Sequence, residues 1–170
     1  MNTEQKTVSV LLTKHVDIFS KISRFLIGGE YTHASIGLSE DKNTFFSFNT
    51  KRGFCIEKPI KKKRENPCVL YQIPVTLQSY EDIVTRISNF QSHSDKYHYN
   101  FIGLLFCLLR IPFQRKNKYF CSQFVSELLT LSGAINSKKR PSLYLPKHFL
   151  NEPQLTLQYK GTLCGLCEAA

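Results

Sequence analysis

The apolar run Val8–Leu12 is the first strong signal in the chain, and its length suits a buried strand. From Asp17 to Ile27 the apolar positions Ile18, Ile22, Phe25 and Leu26 fall on one helical stripe, which Gly28 and Gly29 end. Thr32–Leu38 then alternates. Thr32, Ala34, Ile36 and Leu38 share one face, and His33, Ser35 and Gly37 share the other. After turn chemistry at 41–43, Thr44–Asn49 alternates again, with Phe46 and Phe48 opposed to Ser47 and Asn49. Phe54–Glu57 and Cys68–Ile73 read as two further strands around a basic loop. Helical spacing returns at Tyr80–Phe90, where Ile83, Ile87 and Phe90 share a face. Phe101–Leu109 is a second predicted helix, apolar all round and therefore expected in the core. A third runs from about Cys121 to Leu131 and stops at Gly133. Beyond Pro141 the chain is punctuated by proline, with one late strand near Leu155–Tyr159 and a flexible tail expected over 161–170. The pattern predicts a single α+β domain over 1–170, a small antiparallel sheet packed against helices.

Composition narrows the class. With 42% hydrophobic and 21% charged residues in 170, the chain is expected to be globular, with phenyl rings dominating its core because it has 13 Phe, 8 Tyr and no Trp. Lys and Arg number 23 against 13 Asp and Glu, a formal net charge of +10. The densest basic stretch, Lys58–Arg64, carries no interleaved aromatic residue, so no nucleic-acid partner is expected. Peripheral contact with anionic surfaces is compatible with the charge. Six cysteines in a chain with no secretory-type start read as reduced thiols of a cytoplasmic protein, and no apolar run approaches the about 20 residues a membrane helix needs. Cys164 and Cys167 form a lone C-x-x-C, too little for a zinc site.

Candidate chemistry gathers at two positions. Cys121, in KYFCSQFVSELL, follows an extended Tyr119-Phe120 and opens a helix. Unsatisfied N–H groups and the positive end of the helix dipole favour thiolate there and can serve an oxyanion. The same place also suits a buried, inert thiol. His33, opposite the apolar side of its strand, is the candidate general base. Gln123, close behind the thiol on its helix, and the adjacent Ser122 are oxyanion or substrate candidates, as is Tyr99 of the YHYN segment that opens the apolar helix.

HASIGL, SFN, GFCIEKP, YHYNFIGLL and YFCSQFVSELL together resemble the circularly permuted branch of the papain-like superfamily, from about Val8 to Pro146. That branch includes YaeF/YiiX-type amidases and is related to NlpC-type peptidases and lecithin:retinol acyltransferases. In it a strand His precedes a helix-start Cys, the order of His33 and Cys121. The resemblance implies a metal-independent cysteine hydrolase with no cofactor, which cleaves an amide or related acyl bond of a peptide-like or acylated substrate through a thioacyl-enzyme. It also implies a third polar residue on the strand after the His. Relatives often carry a carboxylate there; this chain offers Ser47 or Asn49, and a neutral orienter would support the imidazole less. Lipid acyl transfer or thioester cleavage, and a binding module without turnover, are the alternatives.

Overall fold

The computed structural model describes residues 6–14, 30–41, 43–58 and 65–169. The helix predicted over Asp17–Ile27 and most of the basic loop lie outside them.

Six strands form one antiparallel sheet: β1 (Lys6–Thr13), β2 (His33–Leu38), β3 (Phe45–Asn49), β4 (Gly53–Glu57), β5 (Pro67–Val75) and β8 (Thr156–Thr162). Their spatial order is β4-β3-β2-β1-β5-β8. The helices are α1 (Leu77–Ser92), α2 (Phe101–Leu108), α3 (Cys121–Leu131) and α4 (Leu163–Ala169). Two short strands, β6 (His98–Tyr99) and β7 (Lys118–Tyr119), pair in parallel where the chain enters α2 and α3. The expected α+β arrangement is therefore present.

β1 runs through the middle of the sheet, pairing β2 on one edge and β5 on the other. Its side chains alternate between two cores. Val8, Val10 and Leu12 join Ala34, Ile36, Val69 and Ile73 under α1 and α3, whose buried stripes include Ile83, Ile87, Phe124, Val125 and Leu128. Leu11 turns the other way and packs with Phe45, Cys68, Leu163 and Leu166. Leu11 is apolar between Val10 and Leu12 because both faces of this strand are covered there.

The helix boundaries follow local chemistry. Thr76 caps α1, its hydroxyl accepting from Ser79 N at 3.1 Å, which starts the helix earlier than its apolar spacing alone suggests. α2 opens at Asn100, whose side-chain oxygen accepts from Gly103 N at 2.9 Å. It ends with Arg110 N bonding Cys107 O and Ile111 N bonding Phe106 O, a Schellman closure with Arg110 at φ 60° where glycine is usual. Gly53, at φ 71°, turns β3 into β4, and any side chain there would collide with the Tyr97 carbonyl.

Two expectations fail. Of the expected flexible tail over 161–170, residues 161–169 are ordered: β8 pairs along β5 from Pro67↔Thr162 to Gln72↔Thr156, and α4 then lays Leu163 and Leu166 over the second core. The backbone pairing of an edge strand leaves only a weak trace in a Gly-containing sequence. Nor is α2 a core helix. Gly103 and Cys107 are buried, whereas Phe101, Ile102, Leu105 and Leu109 are exposed.

Candidate active site

Cys121 begins α3 directly after an extended Phe120 (φ −105°, ψ 162°), and no side chain caps the helix. The first intrahelical bond is Phe124 N to Phe120 O at 3.0 Å, so the N–H groups of 121–123 are left over from the helix ladder. The thiol is 5% exposed. An uncapped, buried helix start needs another acceptor for its donors, and the sulfur is one: the Ser122 N–H bonds it.

The sheet supplies a second donor. The β2/β3 ladder holds only Ile36↔Phe46 and Gly37↔Phe45, and it ends before Ala34. A strand residue points its N–H and C=O to the same edge. Ala34 therefore faces the opening with both. Its carbonyl takes the Ser47 hydroxyl at 2.6 Å, and its N–H bonds the Cys121 sulfur. The start of α3 packs against β2 at this gap.

His33, next to Ala34, hydrogen-bonds the Cys121 thiol. Its Nε2 lies 3.0 Å from Glu57 Oε2 and 3.1 Å from Glu57 Oε1, the fork of a carboxylate holding a ring N–H. With Nε2 engaged there, Nδ1 is the nitrogen that faces the sulfur. Burial opposes charge on this imidazole. The Glu57 charge and the hydrogen bonds to Cys121 and Glu57 outweigh it and hold His33 well above its ordinary pKa. Burial likewise pushes the Cys121 thiol up, but the His33 hydrogen bond and charge, with the Ala34 and Ser122 N–H groups, bring it below the ordinary thiol range. Both shifts favour the thiolate and imidazolium forms of the pair.

The side chain that engages the His33 ring is thus Glu57 on β4, not Ser47 or Asn49 on β3. Ser47 is spent on the Ala34 carbonyl, where the ladder opens. Asn49 uses its side-chain oxygen on the N–H groups of Lys51 and Arg52, at 3.1 and 2.8 Å, to close the β3–β4 turn. In GFCIE the two-residue alternation puts Cys55 and Glu57 on one strand face. The Cys55 thiol donates to Glu57 Oε1 at 3.6 Å and Ser47 O at 3.5 Å. Burial, then the Glu57 charge, raises its pKa far above the ordinary thiol range, so Cys55 stays a donor that props the carboxylate.

The softer candidates separate. Tyr99 lies near the sulfur; burial, then the charge on Cys121, drives its phenol pKa well up, so it remains a neutral hydroxyl beside the thiolate. Ser122 contributes its backbone N–H, while its hydroxyl is locked on Tyr144 O at 2.7 Å. Gln123 is fully buried with neither amide atom hydrogen-bonded, and residues two apart on a helix do not share a face. Its side chain is therefore withdrawn from the oxyanion role. An unpaired buried amide costs about 1–3 kcal/mol, so Gln123→Met, close in volume, is expected to raise unfolding free energy by about 1–2 kcal/mol. A loss of stability in urea titration would show that the amide is satisfied in solution, for example by a buried water.

The other titratable groups stand apart. His148 accepts from Leu145 N at 2.9 Å through Nδ1, and burial, with Lys139 and Lys147, pushes it down to about 4. Among the described residues, no three His, Cys, Asp or Glu gather as metal ligands. Cys164 and Cys167 lie on α4, and Cys167 packs against the second core. No helix of the described residues is long and apolar enough to cross a membrane. No family model and no curated protein matches the chain.

Proposed function

We propose that the chain is a cysteine hydrolase of the circularly permuted papain-like kind, acting on an amide or related acyl bond. The observation that carries this reading is the bridge made by His33, with Glu57 on Nε2 and the Cys121 thiol at an uncapped helix start on its other side. The thiolate attacks the carbonyl carbon, forming a C–S bond and moving an electron pair onto the oxygen. Leftover N–H groups at the start of α3, with the Tyr99 hydroxyl close by, suit that oxyanion. Imidazolium His33 gives its proton to the leaving amine or alkoxide as the scissile bond breaks, leaving a thioacyl-enzyme. Neutral His33 then takes a proton from water, the hydroxide displaces the thiolate, and the acid leaves. Glu57 stabilises the imidazolium at both ends of the cycle.

The test is acylation by p-nitrophenyl acetate. A stoichiometric burst of nitrophenolate is expected, with acetyl on Cys121 by peptide mass and removable by hydroxylamine; Cys121→Ala abolishes it. Acetyl spread evenly over the six cysteines, or a burst indifferent to His33→Ala, would sink the proposal. The exposed apolar face of α2 next to Tyr99 favours a second reading, acyl transfer to an acceptor other than water on a lipid substrate. It shares every step up to the thioacyl-enzyme, and diversion of the acyl group to an added alcohol or amine distinguishes it. A binding module without chemistry loses its support, the missing carboxylate, because Glu57 provides one.

A further inference from the structure

β4 ends the sheet, with β3 as its strand neighbour. The β3 ladder, from Phe45↔Glu57 to Asn49↔Gly53, uses one edge of β4. The backbone of Phe54, Cys55 and Ile56 makes no hydrogen bond outside that ladder, so the groups aimed at the outer edge have no protein partner. A cavity of about 250 Å³ opens there, lined by Arg52, Phe54, Cys55, Ile56, Gln91 and Ser94. Strand side chains alternate between faces, yet three consecutive residues of β4 line this one cavity. It therefore follows the outer edge of the strand and not either face of the sheet. Its far wall is the last turn of α1 and the turn at Ser94–Lys96. It is smaller than the about 300–1,000 Å³ usual for small-molecule sites, and suits a side chain better than a whole ligand.

The wall chemistry points to the occupant. Arg52 is the one charged residue of the lining, and no carboxylate pairs with it among the described residues. The Gln91 amide and the Ser94 hydroxyl make no hydrogen bond to the described protein either. Asp95 follows Ser94 but does not line the cavity, and Glu57 is engaged by His33. A guanidinium, an amide and a hydroxyl, none of them spent on the fold, suit a carboxylate. Phe54 adds an apolar wall, and Ile56 beside it is 45% exposed. The cavity also touches the site described above. Cys55, in its lining, donates to Glu57 Oε1 at 3.6 Å, and the Cys55 thiol feels the charges of both Arg52 and Cys121.

We propose that β4 takes an extended peptide as an added strand, with an acidic side chain of that peptide seated in the cavity against Arg52. Binding stands on the strand edge and the cavity. Only the corollary, that an amide bond of such a peptide is the one offered to Cys121, rests on the hydrolase reading.

Fluorescence anisotropy with dansyl-Ala-Val-Glu-Val-Ala-amide tests it. The full chain carrying Cys121→Ala is used, so that a failure to bind stays distinct from a failure of the chemistry, which p-nitrophenyl acetate reports on wild type. Exchanging the peptide's Glu for Gln should weaken binding at least about fivefold, the scale of a lost charge-assisted hydrogen bond. Arg52→Gln should do the same, and the two changes together should weaken it no further. This substitution keeps the Arg52 backbone N–H that Asn49 accepts, so the β3–β4 turn is retained. N-methylation of every peptide amide should abolish binding, and hydrogen exchange within Gly53–Glu57 should slow when the unmodified peptide is bound. No binding at millimolar peptide overturns the proposal, as does equal binding of the Glu and Gln peptides. Binding that survives N-methylation, or protection confined to other segments, also overturns it. So does a dimer in light scattering that Ile56→Lys converts to monomer, because a second copy would then pair with the edge.

Discussion

Glu57→Gln is expected to slow iodoacetamide alkylation of Cys121 near pH 6 by about tenfold for each pKa unit that the thiol regains, because the rate follows the thiolate fraction. The substitution keeps the shape of the side chain and one oxygen to accept the Nε2 proton, so it removes mainly the charge. Without that charge His33 falls toward its ordinary pKa, and its burial, which opposes the imidazolium, is no longer offset. The sign follows directly. In wild type the His33 charge is favoured above the ordinary histidine range and the thiolate below the ordinary thiol range, so alkylation extends below about 8.5. In Glu57→Gln the two values move toward each other, and thiolate returns only as the pH approaches that range. The readout is the pH profile at Cys121 by peptide mass, with circular dichroism to confirm folding. If Glu57→Gln keeps the low-pH limb while Ser47→Ala or Asn49→Ala removes it, Glu57 is only a structural ion pair and the orienter lies on β3 after all.

The contrast between His33 and Glu57 shows what a sequence can carry. His33 and Cys121 announce themselves locally, one by alternation on a strand and the other by an apolar stripe that starts at the thiol. Glu57 does not, because its role depends on how the sheet edge is built. The β2/β3 ladder stops after two residue pairs, α3 enters the gap, and the Ser47 hydroxyl is drawn to the carbonyl that the gap exposes. The polar face of β3 is therefore used for closure, and β4 supplies the carboxylate. None of these events alters the two-residue alternation from which the strands were read. The same limit explains α2. Hydropathy all round a helix is compatible with burial or with an exposed face, and only its neighbours decide; here a single side of the helix, at Gly103 and Cys107, meets the protein. Likewise the end of the chain reads as loose by composition but becomes an edge strand through backbone bonds to β5 that any side chains permit.

Phe48→Ala is expected to lower unfolding free energy by about 3–5 kcal/mol, the usual range for deleting a buried ring. Against a typical total of about 5–15 kcal/mol, that is a large share of the fold's stability. Phe48 is fully buried where the sheet meets both large helices, with ring centroids 5.2 Å from Phe124 and Tyr119 and 5.9 Å from Phe54 and Phe90. These rings come from β3, β4, α1, the strand before the thiol and α3, so a void at Phe48 has no single flexible neighbour able to fill it. Phe46, its half-buried neighbour on the other side of Ser47, stacks on Phe54 at 6.4 Å, and its replacement by Ala should cost clearly less. Urea midpoints at unchanged m-value measure both. The site should register the core change too. Phe124 lies three residues after Cys121 on α3 and makes that helix's first backbone bond, to Phe120. Loosening its packing lets the helix start drift from Ala34 and His33, so Phe48→Ala should lose part of the low-pH alkylation limb under conditions where it remains folded. A cost below about 1 kcal/mol would mean that the surrounding rings collapse into the void. An unchanged alkylation profile would mean that the Cys121 turn is held from the sheet side, by Ala34 and His33, without help from the aromatic core.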